Sequence, residues 1–165
     1  MKRGGFYWLL VFIIIGVDQT SKFIIVRMLS LYSSRTIIPG FFNLSLIHNR
    51  GAIFGFFSQT NNRGISIILS AASLLALGIV VYFFLKTPLS EKWMKISLSL
   101  ILGGALGNQM DRIFRGYVVD FMEFSIRRYH WPTFNVADSC ITIGALMLII
   151  IIFFRRPSCS PSSSN

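Results

Sequence analysis

Apolar residues along this chain are gathered into four long blocks, which shorter polar segments separate. The blocks cover residues 6–26, 64–85, 96–114 and 137–154. Each approaches the roughly 20 residues that a helix needs to cross the hydrocarbon layer of a membrane. The second and fourth blocks are nearly free of polar residues, whereas the first and third carry polar residues near their C-terminal ends. The pattern predicts an all-α membrane protein built as a four-transmembrane-helix bundle.

Two polar segments, residues 27–63 and 115–136, connect the blocks at one end of this bundle. In the first segment apolar and polar residues alternate over 42–46, which is typical of a β-strand. Three phenylalanines follow at Phe54, Phe56 and Phe57. We expect these rings to lie at the headgroup layer, where aromatic side chains are enriched. A plain hairpin without a function is the alternative interpretation of this segment.

Basic residues give the orientation. At one set of block ends they are packed into very short flanks: Lys2, Arg3, Lys86, Lys92, Lys95, Arg155 and Arg156. Short basic flanks favour the cytoplasmic side, so we expect both termini to be cytoplasmic. The opposite ends hold eight arginines, so the number of basic residues alone does not determine the orientation. Residues 1–156 are then a single membrane domain, and the Ser/Pro-rich residues 157–165 are expected to be a disordered tail.

Composition agrees with a membrane protein. Only 13% of the residues are charged, against about 25% in soluble domains. The net charge is +10, and the bases lie beside apolar blocks, which favours anionic membrane lipids rather than nucleic acid as the counterpart. The two cysteines have no metal-ligand spacing. No cleavage pattern follows the first block, which we therefore interpret as a retained span.

All four aspartates lie near the outer ends of the blocks or in the outer connection: Asp18, Asp111, Asp120 and Asp138. A carboxylate at the centre of a membrane costs roughly 2.5–3.5 kcal/mol on insertion scales. Several acids at one depth therefore require either basic partners or a shared site.

Two of these acids have a base one helical turn away. Asp18 and Lys22 are four residues apart, as are Asp111 and Arg115, so each pair can form an ion pair on one helix face. Structural ion pairing and a chemical role are both open for these residues. Gly103 and Gly107 form a G-x-x-x-G pair that lets another helix approach closely.

The other two acids suggest chemistry. Asp120 stands in an apolar run without an adjacent base, which disfavours its charged form. Asp138 opens the fourth block, where a helix N-terminus favours a carboxylate. Capping of that helix by Asn135 explains Asp138 without chemistry, but does not explain Asp120. If the two carboxyls meet, they share one proton, and we expect Asp138 to be the base and Asp120 the acid of a water-activating pair.

Five motifs in chain order resemble the lipoprotein signal peptidases (signal peptidase II), a family of bacterial membrane aspartyl peptidases. They are Asp18-Gln19-Thr20-Ser21-Lys22, Asn49-Arg50-Gly51-Ala52-Ile53-Phe54-Gly55, Gly107-Asn108-Gln109-Met110-Asp111-Arg112, Val118-Val119-Asp120-Phe121 and Phe134-Asn135-Val136-Ala137-Asp138. Each motif alone is weak, but five in order on four spans are specific. Ile53 departs from the small residue common in the family, and the tail with Cys159 has no assigned counterpart.

The resemblance implies the catalytic residues, the substrate and further features of the fold. The catalytic pair maps onto Asp120 and Asp138. Supporting and substrate-binding residues map onto Asp18, Lys22, Asn49, Gly51, Asn108, Asp111, Arg112, Asn135 and Ala137. The substrate is a prolipoprotein whose cysteine carries diacylglycerol, cut on the N-terminal side of that cysteine. The family also has a small extracytoplasmic β-cradle and an outer helix in the first external segment.

The same resemblance implies no metal or organic cofactor. It places the enzyme in the bacterial cytoplasmic (inner) membrane, with the active site near the outer leaflet, and we expect a monomer. Three alternatives remain open. A zinc hydrolase would use His48 and His130, which are far apart in sequence and belong to no H-E-x-x-H motif. A proton-coupled carrier lacks the expected repeats. A scaffold would bind lipid-modified proteins without cutting them, and only an activity assay distinguishes it from a peptidase.

Overall fold

The computed structural model of the protein describes residues 3–50, 63–126 and 129–154. Gly51, the aromatic residues at 54–57, the expected outer helix and the tail with Cys159 lie outside the described residues, so these predictions stay predictions.

All four apolar blocks form helices. Helix α1 covers Arg3–Met28, α2 covers Arg63–Lys86, α3 covers Lys92–Arg115 and α4 covers Val136–Phe154. Within the described ranges, Gly4–Met28 and Val136–Phe154 are long and apolar enough to span a membrane, and Ala71–Lys86 is a shorter apolar helical stretch. Helix α3 is less apolar because it buries polar side chains against its neighbours.

Helix α3 lies at the centre of the bundle and contacts the other three helices. Glycines allow this close packing. A Cβ at Gly103 would lie 2.9 Å from the Ile14 Cβ on α1, and one at Gly144 of α4 would lie 2.7 Å from the Ser97 carbonyl oxygen on α3. The predicted close approach at the G-x-x-x-G pair is confirmed. Large apolar side chains on the outer faces of α1 and α4 remain exposed, as expected of lipid-facing surfaces.

A four-stranded antiparallel sheet covers one end of the bundle, so the all-α expectation is partly wrong. Its order is β1-β2-β3-β4. The strands are β1 Ser34–Ile38, β2 Phe42–Asn49, β3 Val118–Ile126 and β4 Tyr129–His130. The strand predicted from the alternation over 42–46 is confirmed as part of β2. The sheet is larger than predicted because the second outer segment adds β3 and the short β4. Strand β3 pairs with β2, which is distant in sequence, so its short apolar run gives no local strand signal.

A glycine turn directs β3 back over the bundle. Gly116 ends α3 with φ +77°, in the left-handed region that glycine adopts without strain, and its N–H donates to the Arg112 carbonyl at 3.2 Å. Strand β3 then pairs with β2, with Ile47 opposite Asp120. The turn therefore brings Asp120 close to the N-terminus of α4.

Candidate active site

Helix α4 begins with a reciprocal cap between Asn135 and Asp138. The backbone N–H of Asp138 donates to Asn135 Oδ1 at 2.9 Å, and the backbone N–H of Asn135 donates to Asp138 Oδ2 at 3.3 Å. This satisfies two N–H groups at the helix start and fixes the Asp138 rotamer. The predicted cap is confirmed, and it orients the Asp138 carboxylate at the positive end of the helix dipole.

Asp120 lies in the middle of the sheet, and its side chain is buried. Asn135 Nδ2 donates to its Oδ1 at 2.7 Å, and Asn49 Nδ2 donates to its Oδ2 at 2.9 Å. Burial, and then the charge of Asp138, raise the pKa of Asp120 from its ordinary 3.8 to about 7, although both amide hydrogen bonds act in the opposite direction. The carboxyl of Asp120 is therefore poised to hold a proton near neutral pH.

The two acids are linked through a single residue, Asn135. Asn135 contacts Asp120 through its amide and Asp138 through its backbone N–H. Asn108 completes the group, since its Nδ2 donates to Asp138 Oδ1 at 2.7 Å and its Oδ1 accepts from Asn135 Nδ2 at 3.2 Å. Two acids that lie 18 positions apart in the chain (120 and 138) thus share one hydrogen-bond network.

A buried ion-pair cluster supports this network. Lys22 Nζ lies 2.7 Å from Asp18 Oδ2 and 2.8 Å from Asp111 Oδ2, and all three side chains are fully buried. Asp111 also pairs with Arg115. Both ion pairs predicted from the spacing are confirmed, and the cluster joins α1 to α3 with two charges of each sign.

The same cluster reaches helix α4. The Ala137 N–H donates to Asp18 Oδ1 at 3.0 Å, so an acid of α1 satisfies a further N–H group at the start of α4. A Cβ at Gly107 would lie 3.6 Å from the Ala137 Cβ, and Ala137 is fully buried. A small residue at position 137 therefore fits the tight contact between α3 and α4.

Gln19 is a supporting residue that the sequence reasoning did not single out. Its Nε2 lies 3.2 Å from Asp18 Oδ2, 3.1 Å from the Gly107 carbonyl oxygen and 3.3 Å from Asp111 Oδ1. The sequence does hold a signal for Gln19, because it is an uncharged amide beside an aspartate at membrane depth. A polar group at that depth needs hydrogen-bond partners. The Val119 N–H, which donates to Asp111 Oδ2 at 3.2 Å, has no signal in the side-chain pattern.

Arg112 is half-buried within the electrostatic reach of three acids: Asp138, Asp120 and Asp111. Lys22 and Arg115, rather than Arg112, make the ion pairs with Asp111. Arg112 therefore adds positive charge beside the acid pair.

The two histidines of the zinc alternative lie apart. His48 is opposite Val119 on β3, whereas His130 is opposite Ser125. Six residues of strand separate those positions, which is about 20 Å at 3.3 Å per residue. His48 stacks on Tyr117, with ring centroids 3.7 Å apart, and burial together with two neighbouring arginines lowers its pKa. His130 hydrogen-bonds to Glu123. The structure therefore gives these residues no common ligand site.

Two solved structures share this architecture. Each is described as a bacterial membrane enzyme determined by the in meso method. The one at 2.3 Å resolution is 33% identical, with a TM-score of 0.77, and the match covers 98% of this chain and 95% of that one. The one at 1.9 Å is also 33% identical, with a TM-score of 0.79 and coverage of 92% and 95%. By fold, the protein is in the class of membrane enzymes.

Sequence comparison gives the family. The family model described as Signal peptidase (SPase) II matches residues 10–154. The chain belongs to the signal peptidase II family and is a peptidase. It is 42% identical to the lipoprotein signal peptidase of Francisella tularensis subsp. novicida, with coverage of 91% of this chain and 92% of that protein. It is 39% identical to that of Syntrophus aciditrophicus, with coverage of 84% and 86%.

Proposed function

We propose that the protein removes the signal peptide from diacylglyceryl-modified prolipoproteins by cutting on the N-terminal side of the lipid-modified cysteine. Membership of the signal peptidase II family and relatives named lipoprotein signal peptidase support this substrate class. The observation that carries the mechanism is the shared contact of Asp120 and Asp138 with Asn135.

In this mechanism the two acids have different tasks. Asp138 is the base that takes a proton from water, because the α4 N-terminus and the Asn108 amide favour a carboxylate at that position. Asp120 is the acid that protonates the carbonyl oxygen or the leaving amine, in agreement with its pKa of about 7. Water then adds directly to the peptide carbonyl, without a covalent enzyme intermediate. The two carboxyls titrate as one coupled pair.

The supporting residues divide by position. Asn108 and Asn135 contact the pair directly. Asp18, Lys22, Asp111 and Ala137 form the buried cluster beside it. Asn49 and Gly51 belong to the first external segment. Arg112 adds a guanidinium that can meet substrate backbone or ester oxygens. No metal or organic cofactor is part of the proposal, since the acid pair activates water by itself.

We place the enzyme in the bacterial inner membrane as a monomer with four spans and with both termini in the cytoplasm. The sheet and the acid pair then lie near the outer leaflet, where the lipid-anchored end of a substrate is found. Basic flanks at the opposite end of the bundle support this orientation.

A cleavage assay tests the function. Purified protein is incubated with a diacylglyceryl-modified prolipoprotein, beside the variants Asp120→Asn and Asp138→Asn. We expect cleavage by the wild type and a loss of about 10²–10⁴-fold in each variant, as for removal of a general acid or base. Glu123→Gln is the matched control, because Glu123 lies on the same strand but bonds to Ser45 and His130 instead.

This assay distinguishes a peptidase that uses the acid pair from a scaffold that only binds the substrate. Full activity in either aspartate variant refutes the acid pair. Wild-type protein that binds the substrate without cutting it supports the scaffold alternative. Thermal unfolding in detergent checks that each variant is folded, and Glu123→Gln is expected to cut at the wild-type rate.

A further inference from the structure

The ammonium group of Lys22 uses its full hydrogen-bonding capacity. A protonated lysine has three N–H donors and no acceptor. Its Nζ lies 2.7 Å from Asp18 Oδ2, 2.8 Å from Asp111 Oδ2 and 3.0 Å from Asn108 Oδ1. The side chain is fully buried. Each of the three neighbours must therefore present an oxygen to Lys22.

This requirement fixes the orientation of the Asn108 amide. With its oxygen toward Lys22, Asn108 turns its NH₂ to Asp138, 2.7 Å away. The same oxygen accepts from Asn135, whose amide in turn donates to Asp120. A flipped Asn108 would set its NH₂ against two donors and its oxygen against a carboxylate, which is strongly unfavourable.

We infer that Lys22 is a positioning residue for the acid pair: by orienting the Asn108 amide, it sets the hydrogen bonds that hold Asp138 and, through Asn135, Asp120. This inference rests on the proposed function. The ion pair with Asp111 alone would only join α1 to α3. The contact with Asn108 extends the influence of the cation to both carboxyls.

Removing Lys22 directly is a poor test. A variant such as Lys22→Met leaves Asp18 and Asp111 buried with one cation fewer, which destabilises the fold irrespective of any positioning role. Asn108→Asp is sharper. It keeps the shape and the oxygen toward Lys22, but replaces the NH₂ that faces Asp138 by a second oxygen. When ionised, that oxygen repels Asp138, and when protonated, its O–H donates to Asp138 Oδ1.

The experiment measures kcat and KM of Asn108→Asp and wild type on a diacylglyceryl-modified prolipoprotein between pH 5.5 and pH 8. At pH 8 we expect kcat to fall about 100-fold, the effect of misplacing a reacting group by about 1 Å, with KM changed less than about twofold. The ratio of variant to wild-type kcat should rise at least about tenfold toward pH 5.5, because the protonated fraction of an acid rises about tenfold per pH unit above its pKa.

Gln109→Glu is the matched control. It also replaces a buried amide by an acid on α3, but Gln109 accepts from Ser73 on α2 rather than facing the acid pair. We expect its kcat ratio to wild type to be constant over the same pH range.

A ratio for Asn108→Asp that does not change with pH, or a kcat equal to wild type, overturns the inference. If this variant does not fold, the paired variant Lys22→Met/Asp18→Asn carries the test, since it removes one charge of each sign. Its kcat should fall about 100-fold with KM nearly unchanged, and wild-type kcat overturns the inference. Activity retained by Asp120→Asn or Asp138→Asn instead refutes the proposed function, so the two failures are distinguishable.

Discussion

The carboxyl of Asp120 has an amide donor at each of its oxygens and still has a raised pKa. Two hydrogen bonds normally favour the charged form, so burial and the second carboxylate outweigh them. The two amides therefore fix the position of the Asp120 carboxyl, and its raised pKa allows it to hold a proton near neutral pH. A general acid needs both the position and the proton.

The pH dependence follows from this residue. Asp120 is protonated below a pKa of about 7 and ionised above it. If it is the general acid, kcat is highest on the acid side of that value and falls as the pH rises through about 7. Initial rates at saturating substrate from pH 5 to pH 9 measure this limb, and a constant kcat from pH 6 to pH 9 would contradict the assignment.

A substitution of Asn49 should shift the pH at which kcat falls. Its hydrogen bond to Asp120 lowers the pKa of that acid, so its removal raises the pKa. In Asn49→Ala we expect the alkaline limb of kcat to shift to higher pH, by up to about one unit for a hydrogen bond worth about 1 kcal/mol. A shift to lower pH would show that the amide does not stabilise the ionised form.

Part of this site was predictable at the residue scale. The i to i+4 pairs and the cap at Asn135 follow from spacing on one helix, and the structure has all of them. The meeting of Asp120 and Asp138 was predicted through a family resemblance, because no local rule relates a strand residue to a helix start. Gln19 was missed, since one amide beside a charged pair gives a weak signal.

At the scale of elements, contact between α3 and α4 positions the Asp138 end of the site. A Cβ at Gly104 would meet the Ala137 carbonyl oxygen and would lie 2.8 Å from Ile141 Cγ1. Backbone atoms cannot yield as a flexible side chain does. Gly104→Ala is therefore expected to destabilise the protein by about 1–3 kcal/mol, the usual cost of overpacking.

The same substitution should displace the α4 N-terminus and lower kcat by about 100-fold for a shift of about 1 Å. Gly78→Ala is the matched control, because a Cβ there meets nothing within 4 Å. We expect it to be neutral or stabilising by up to about 1 kcal/mol. Thermal unfolding in detergent and the cleavage assay check both variants. Equal behaviour of the two would contradict the packing argument.

The elements themselves were unequally predictable. Predicted and observed helix ends differ by at most four residues, because long apolar blocks give a strong local signal. Strand β2 followed from alternation, but β3 did not. Val118 and Val119 are both buried, and Val119 packs with Ile25 of α1, so the start of β3 shows no period of two. Its strand conformation depends on β2, which is distant in sequence.

At the scale of the whole molecule, the acids and the sheet lie at one end of the bundle. The C-terminal ends of α1 and α3 and the N-terminus of α4 meet the sheet there. The loop between α2 and α3, residues 87–91, lies at the other end, between Lys86 and Lys92. The positive-inside bias therefore predicts that residues 87–91 face the cytoplasm and the sheet faces outward.

Cysteine labelling tests this orientation. Thr36 on β1 and Ser90 in the loop between α2 and α3 are both exposed, so each can carry a single cysteine once Cys140 and Cys159 are replaced by serine. In spheroplasts, a membrane-impermeant maleimide should label Thr36→Cys at once and Ser90→Cys only after the membrane is permeabilised. The reverse order would place the acid pair on the cytoplasmic side. That enzyme could not reach a substrate held at the outer leaflet, so the proposed function would fail together with the orientation.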